Sequence, residues 1–237
     1  MAAIEPLEQA RAILVAGGSG SRFRSATPKQ LQTVLGKPLV VHALERLQLS
    51  GAIERVILVL PRDGFEEAKR AIAPYLGNTS AVDWVPGGRS RQESMIEGFS
   101  RIDPFEGLVA VHDSARPAVP PSLVARVVEA AALDGGAIAA LPVVETLKEA
   151  TADLRVARTV PRERLYRAQT PQCFRYRVLA RAVKKAAADG FSGTDEASLV
   201  ERLPAPIRIV PGSEQNLKVT TLEDLERVEY YLKRGES

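Results

Sequence analysis

One cysteine in 237 residues, Cys173, leaves no partner for a disulfide within the chain and no thiolate set for a structural zinc site, and it fits a reducing compartment. Long apolar runs are missing too. No window approaches the roughly 20 apolar residues that a membrane span needs, so no membrane partner is expected. The opening stretch carries Glu5, Pro6 and Glu8 with no apolar run behind a basic start, so no signal peptide is expected and the cytoplasm is the expected location. Nor is there an excess of charge of one sign: 32 Lys and Arg stand against 29 Asp and Glu, and the net +3 is too small and too scattered to call for a nucleic-acid partner. No internal repeat or low-complexity linker marks a boundary. With 45% hydrophobic residues, 1–237 reads as a single domain around one large core.

What is present is alternation. Runs rich in Val, Ile and Leu at 12–16, 55–60, 81–85, 108–112, 137–143 and 207–210 are separated by stretches at 39–49, 64–75, 91–102 and 122–133 with apolar residues three and four apart. That is the pattern of βαβ units, and it predicts an α/β fold: a Rossmann-like, mostly parallel sheet flanked by helices. The stretch 146–160 breaks the rhythm, with Ala152 and Asp153 between two half-polar arms. It predicts a protruding β-hairpin arm spanning about 144–162. A last helix is expected to open at Thr221, with Asp224 answering three residues on.

The first run ends in Gly17-Gly18-Ser19-Gly20-Ser21-Arg22. Glycines let backbone amides approach an anion with no Cβ in the way, so the segment is a candidate phosphate cradle, although a tight ligand-free turn accounts for the same glycines. It is not a Walker loop, since no Gly-Lys-Ser/Thr follows. Nor is it a dinucleotide fingerprint, since Phe23 stands where the third glycine belongs and the second long run ends Leu60-Pro61-Arg62 without an acidic residue. Arg22 and Lys29, the latter just after Pro28, strengthen the phosphate reading. Transfer of a nucleotidyl group builds negative charge on the α-phosphate and the leaving pyrophosphate, and fixed cations lower that barrier with no covalent nucleophile.

A fourth buried run ends in His112-Asp113-Ser114-Ala115-Arg116-Pro117. Ligands of open α/β sheets bind beyond the carboxyl ends of the strands, where Asp113 projects. A lone carboxylate there suits Mg²⁺ held against nucleotide phosphates, and Arg116 can grip a second phosphate; a helix-capping Asp with a surface Arg is the plain alternative. His112 alternates with Asp113 and is expected to face away from the ligand. Gly87-Gly88 ends another run at the same edge, and Asn216 and Lys218 follow the last one, Lys offering a mobile point charge for phosphates.

Six segments, AGGSGSRF with PKQ, GGRSRQES, HDSARP, TVPRERLYRAQTPQCF, TDEASLVE and NLKVTTLEDL, resemble in order and spacing the cytidylyltransferases that act on 2-C-methyl-D-erythritol 4-phosphate in the non-mevalonate route to isoprenoids. The resemblance covers nearly the whole chain. It implies a reaction in which the acceptor's phosphate oxygen attacks the α-phosphorus of CTP, with a divalent cation, Mg²⁺ or another, as cofactor. It assigns Arg22 and Lys29 to the transition state, and Ala16, Gly17, Gly18, Gly88 and Ser94 to the nucleotide. Asp113 and Lys218 go to the metal and phosphates, and Arg116, Arg162, Thr170, Thr194 and Lys218 to the acceptor. It also implies a homodimer whose hairpin arms carry Thr146 and Arg162 to the neighbour's acceptor site. Three positions depart from the common pattern: Val15 for a proline, Gly17 for an alanine, and Arg89 for an acidic residue, which leaves the local base contact open. A pentitol-phosphate cytidylyltransferase, acting on ribitol 5-phosphate for example, shares several of the segments; a non-catalytic nucleotide-binding module stands if Arg22 and Lys29 prove dispensable.

Overall fold

Residues 8–17, 28–77 and 81–234 are described in a computed structural model. Among the described residues, strand β1 (Ala10–Val15) is followed by a 3₁₀ turn (Lys29–Leu31), a small hairpin of β2 (Thr33–Val34) and β3 (Lys37–Pro38), and α1 (Leu39–Leu49). Then come β4 (Ile53–Leu60), α2 (Phe65–Ile72), β5 (Val82–Pro86), α3 (Arg91–Phe99), β6 (Leu108–Asp113), α4 (Pro121–Asp134) and β7 (Gly136–Pro142). The hairpin β8 (Leu147–Ala150) and β9 (Val156–Val160) precedes β10 (Tyr166–Arg175), α5 (Tyr176–Ala188), α6 (Glu196–Val200), β11 (Arg208–Pro211) and α7 (Glu223–Arg234).

Seven strands form one sheet in the order β11-β7-β10-β6-β1-β4-β5, with every neighbouring pair parallel except the two made by β10. The fold is thus α/β and mostly parallel, as the alternation implies. Because side chains alternate across a strand, β1 sends Ala12 and Leu14 to one face and Ile13 and Val15 to the other, and β4 and β6 do likewise. Helices α1, α2 and α4 cover the first face and α3, α5 and α6 the second. Leaving β1, the chain builds β4 and β5 on one side and then returns to place β6 on the other. The carboxyl ends of β1 and β6 are therefore the topological switch point, where Val15 pairs with Asp113.

Several boundaries shift for local reasons. Helix α2 starts at Phe65 after Gly64, whose φ of 74° is left-handed, and gives way to a 3₁₀ turn at Ala73–Tyr75 containing Pro74. Helix α3 stops at Phe99 rather than 102. Helix α7 begins at Glu223, two residues beyond Thr221, and the Asp224 carboxylate accepts from the backbone amides of Thr220 and Thr221. Strand β10 and helices α5 and α6 fall outside the expected alternation. Pro171 argues against a central strand, yet it sits within the register shift between Ala168 and Gln172, where no ladder bond is required of it. Cys173 is buried on β10, and burial pushes its thiol up, which leaves it unreactive.

Candidate active site at the carboxyl ends of β1 and β6

The site begins with a narrow cradle. The amide of Ala16 donates to the Val59 carbonyl and that of Gly87 to the Leu60 carbonyl, which holds the ends of β1, β4 and β5 side by side. Ser94, on the first turn of α3 and fully buried, donates to the Ser90 carbonyl at 2.8 Å and accepts from the Gly88 amide at 3.2 Å. A Cβ at Gly17 would lie 2.6 Å from the Ser94 Oγ, and one at Gly88 would lie 2.3 Å from the Glu93 Cβ. A Cβ at either position would force a neighbour to shift, Ser94 for Gly17 and Glu93 for Gly88. An open cavity of about 590 Å³ adjoins the cradle, lined among others by Gly17, Gly88, Arg89 and Glu93. The Arg89 amide is taken by the Glu93 carboxylate at 2.7 Å.

Beside the cradle, Asp113 is the hub of the charged residues. Its Oδ2 accepts from Lys218 Nζ at 2.7 Å and its Oδ1 from Arg91 Nε at 2.8 Å. The far side of the Arg91 guanidinium forks onto both oxygens of Glu196, at 2.8 and 3.0 Å. Burial alone would push the Asp113 carboxyl up, but the charges of Arg91, Lys218 and Arg116 outweigh it and hold the group well below the usual carboxylate range. Burial likewise works against the charge on Arg91, and Glu196 and Asp113 more than restore it. Burial pushes Glu196 up against the pull of Arg91; the two-pronged contact with a firmly protonated guanidinium requires its carboxylate form.

The side chains next to this hub are held by buried polar contacts. His112, on the opposite face of β6, has its Nε2 3.2 Å from the Arg116 carbonyl and its Nδ1 3.0 Å from the Thr170 hydroxyl. A carbonyl only accepts, so Nε2 carries the proton and Thr170 donates to Nδ1, while the same hydroxyl accepts from the Asp113 amide at 3.1 Å. Burial drives the His112 pKa down to about 4, so the imidazole is neutral near pH 7. Arg116 donates from Nη1 to the Asn216 carbonyl at 2.7 Å, and burial lowers its pKa against the pull of Asp113. Asn216 is fully buried and donates to the Thr170 carbonyl at 2.7 Å. Lys29 donates from Nζ to the Val219 carbonyl at 3.2 Å, and the Val219 amide bonds the Ala115 carbonyl, which ties Lys29 to the same corner.

The structure therefore gathers Ala16, Gly17, Gly88, Ser94, Lys29, Asp113, Arg116, Thr170 and Lys218 at one edge of the sheet. Thr170 presents its hydroxyl inward, spent on His112 and Asp113, rather than outward. Thr194 is exposed, two residues before Glu196. Thr146 and Arg162 sit at the root of the arm, where Arg162 donates to the Val144 carbonyl, and neither is bonded to the Asp113 hub. Gly18 and Arg22 lie outside the described residues. Two participants, Arg91 and Glu196, are not singled out by the sequence. Both lie in recognised segments, GGRSRQES and TDEASLVE, and a charged residue beside a helix start in each is the available signal.

The sequence pattern of the family described as IspD, 2-C-methyl-D-erythritol 4-phosphate cytidylyltransferase, matches residues 10–234. Proteins of that name from Syntrophus aciditrophicus (strain SB) and Pelotomaculum thermopropionicum are similar to the chain. The first is 42% identical over 225 residues, covering 95% of this chain and 96% of its own. The second is 39% identical over 227 residues, covering 96% and 95%. Among solved structures, the 2-C-methyl-D-erythritol 4-phosphate cytidylyltransferase of Thermus thermophilus matches with a TM-score of 0.75 at 29% identity, covering 95% of this chain and 99% of that one. The 4-diphosphocytidyl-2C-methyl-D-erythritol synthase of Anaerococcus prevotii matches with a TM-score of 0.80 at 28% identity, covering 97% and 100%. With the glycine cradle, the Asp113 hub and the strand order in one chain whose residues 10–234 match the family, the protein belongs to the 2-C-methyl-D-erythritol 4-phosphate cytidylyltransferase family.

Proposed function

We propose that the chain joins CTP and 2-C-methyl-D-erythritol 4-phosphate to give CDP-methylerythritol and pyrophosphate, in the cytoplasm, on the way to isoprenoid precursors. The observation that carries this reading is the cationic corner of Lys29, Arg116 and Lys218 around Asp113, set beside a cradle that only small residues can form. Ala16, Gly17 and Gly88 meet the cytosine, with Ser94 holding the Gly88 amide behind them; Gly18 serves the nucleotide, and Arg22 and Lys29 serve its phosphates. A phosphate oxygen of the acceptor attacks the α-phosphorus as the bond to the bridging oxygen of pyrophosphate breaks. Arg22 and Lys29 meet the charge that develops in that transition state, while Arg116, Thr194 and Lys218 hold the acceptor and Thr170 fixes the Asp113 backbone.

A divalent cation supplies charge neutralisation at the phosphates when bound. Among the residues gathered at the ligand edge Asp113 supplies the carboxylate; its Oδ1 is taken by Arg91, and Lys218 would have to share Oδ2 with the cation. Magnesium takes one or two carboxylates with phosphate oxygens and waters, so Asp113 would hold it.

The working unit is a homodimer in which Thr146 and Arg162 of each arm complete the other subunit's acceptor site. What supports this is exposure: Leu154 is 89% and Val156 67% exposed on a hairpin whose packing is chiefly between its own two strands. A two-fold partner covers such a surface and removes its free edges. Near-balanced charge supports the lack of a nucleic-acid partner. Among the described residues no helix is long and apolar enough to cross a membrane.

A pyrophosphate-release assay with CTP and a panel of polyol phosphates tests the reading. Turnover is expected with 2-C-methyl-D-erythritol 4-phosphate and a divalent cation. A clear preference for ribitol 5-phosphate would move the chain to the pentitol-phosphate enzymes, and no turnover with any acceptor would leave a nucleotide-binding module.

A further inference from the structure

Arg91 and Glu196 have no part in the chemistry assigned above, yet Glu196 is among the most buried charges of the described residues and Arg91 bonds both it and Asp113. Glu196 has a side-chain exposure of 1% and occupies the first turn of α6, which Asp195 fixes by a reciprocal cap with Ser198. Arg91 opens α3, directly after the cap residue Ser90, whose hydroxyl accepts from the Glu93 amide. The planar fork of Arg91, engaged by both Glu196 oxygens, leaves its Nε aimed at Asp113 Oδ1 and nowhere else.

We infer that Arg91 and Glu196 are a positioning pair for Asp113: Glu196 orients the guanidinium, and the guanidinium turns the Asp113 carboxylate so that Oδ2 faces Lys218 and the phosphates. The inference rests on the cytidylyl-transfer reading. The charge count supports it. Asp113 alone would be outnumbered by the cations that touch it, Arg91 and Lys218. With Glu196 the bonded row Lys218, Asp113, Arg91, Glu196 alternates in sign, so the charge of Arg91 is offset from its far side, while Arg116 acts on Asp113 from outside the row. A plain stabilising role is the weaker account, because a buried ion pair commonly contributes no more than apolar packing of the same volume. Apolar packing could not aim a carboxylate.

The test is a double-substitution cycle on the full chain with two readouts: pyrophosphate release, and Mn²⁺ binding in the presence of CTP followed by electron paramagnetic resonance. E196Q keeps the shape and removes the charge. It is expected to bind Mn²⁺ about tenfold more weakly and to lose about tenfold in rate, the scale of outer-shell changes at metal sites. Adding E196Q to D113N should cost nothing further, because the pair acts only through Asp113. Losses that multiply in the D113N background, or unchanged Mn²⁺ binding by folded E196Q, would overturn the inference. If thermal melting shows E196Q unfolded, R91Q/E196Q removes both buried charges together and should fold with the same non-additivity; failure of that variant to fold would make the pair structural. Wild type that releases no pyrophosphate would sink the cytidylyl reading by itself, while the Mn²⁺ titration still judges the pair.

Discussion

The Asp113 hub and the hairpin arm use the same side-chain chemistry to opposite effect. At the hub, Arg91 joins Asp113 and Glu196 with side-chain exposures of 24%, 9% and 1%, on elements from three parts of the chain. On the arm, Arg158 joins Glu149 at 65% and 50% exposure across a hairpin that packs mainly on itself. Water screens the second pair, and such pairs contribute about 0–1 kcal/mol; the first is shielded, so breaking it is strongly felt. One half of the proposed site is thus held by the fold itself, and in the proposed dimer the other half is completed by a partner surface.

The largest effect expected from breaking the buried half is at Lys29. Lys29→Ala should lower kcat by about 10²- to 10³-fold, the usual loss of one donor to developing charge, with a much smaller change in the CTP KM. Steady-state pyrophosphate release checks it, and a near-normal kcat would remove the proposed role. Next, Asp113→Asn should cut activity by about 10- to 100-fold and raise the Mg²⁺ concentration needed for half-maximal rate, since a neutral amide holds a hard cation poorly. An unchanged Mg²⁺ requirement would leave Asp113 as an anchor for Arg91 and Lys218 alone.

A smaller effect sharpens the comparison through pH. His112 has its pKa lowered by burial from 6.5 to about 4, so between these values the unfolded chain binds more protons than the folded one. That stability is fully present above pH 6.5 and is lost as pH falls toward 4, on the order of 3 kcal/mol in all. His42, also lowered by burial, adds to the same slope. Denaturant unfolding of His112→Asn from about pH 4.5 to 7 should show a shallower slope than wild type; an identical slope would mean that His112 is not held neutral. The smallest effect lies on the arm: Arg158→Ala should change stability by less than about 0.5 kcal/mol and leave kcat unaltered, as thermal melting and the release assay would show.

Much of the fold is legible in the sequence because burial on both faces leaves an apolar run, and β1, β4 and β6 are such runs. Strand β10 is not, since Gln169, Thr170, Pro171 and Gln172 interrupt any apolar pattern, and their burial depends on bonds to distant residues such as Ser213, Asn216 and Asp195. Asp113 can be read from its place at the end of a buried strand. Arg91 and Glu196 cannot, because the contact joins positions 105 apart and each charge alone reads as a solvated helix residue. The sequence makes Arg116 a phosphate grip, and two of its guanidinium nitrogens are engaged by carbonyls, Nη1 by Asn216 at 2.7 Å and Nη2 by Ala168 at 3.5 Å. The resemblance makes Thr170 a substrate contact, whereas its hydroxyl bonds the hub from behind.

The claim that a complete site needs the buried edge of one subunit and the arm of another is tested most directly by mixing Lys29→Ala and Arg162→Ala subunits, each inactive alone, under conditions that exchange protomers. A mixed dimer with shared sites holds one site carrying both defects and one carrying neither, so random exchange should restore about a quarter of wild-type activity. No recovery despite demonstrated exchange, or a chain that stays monomeric in solution, would contradict it.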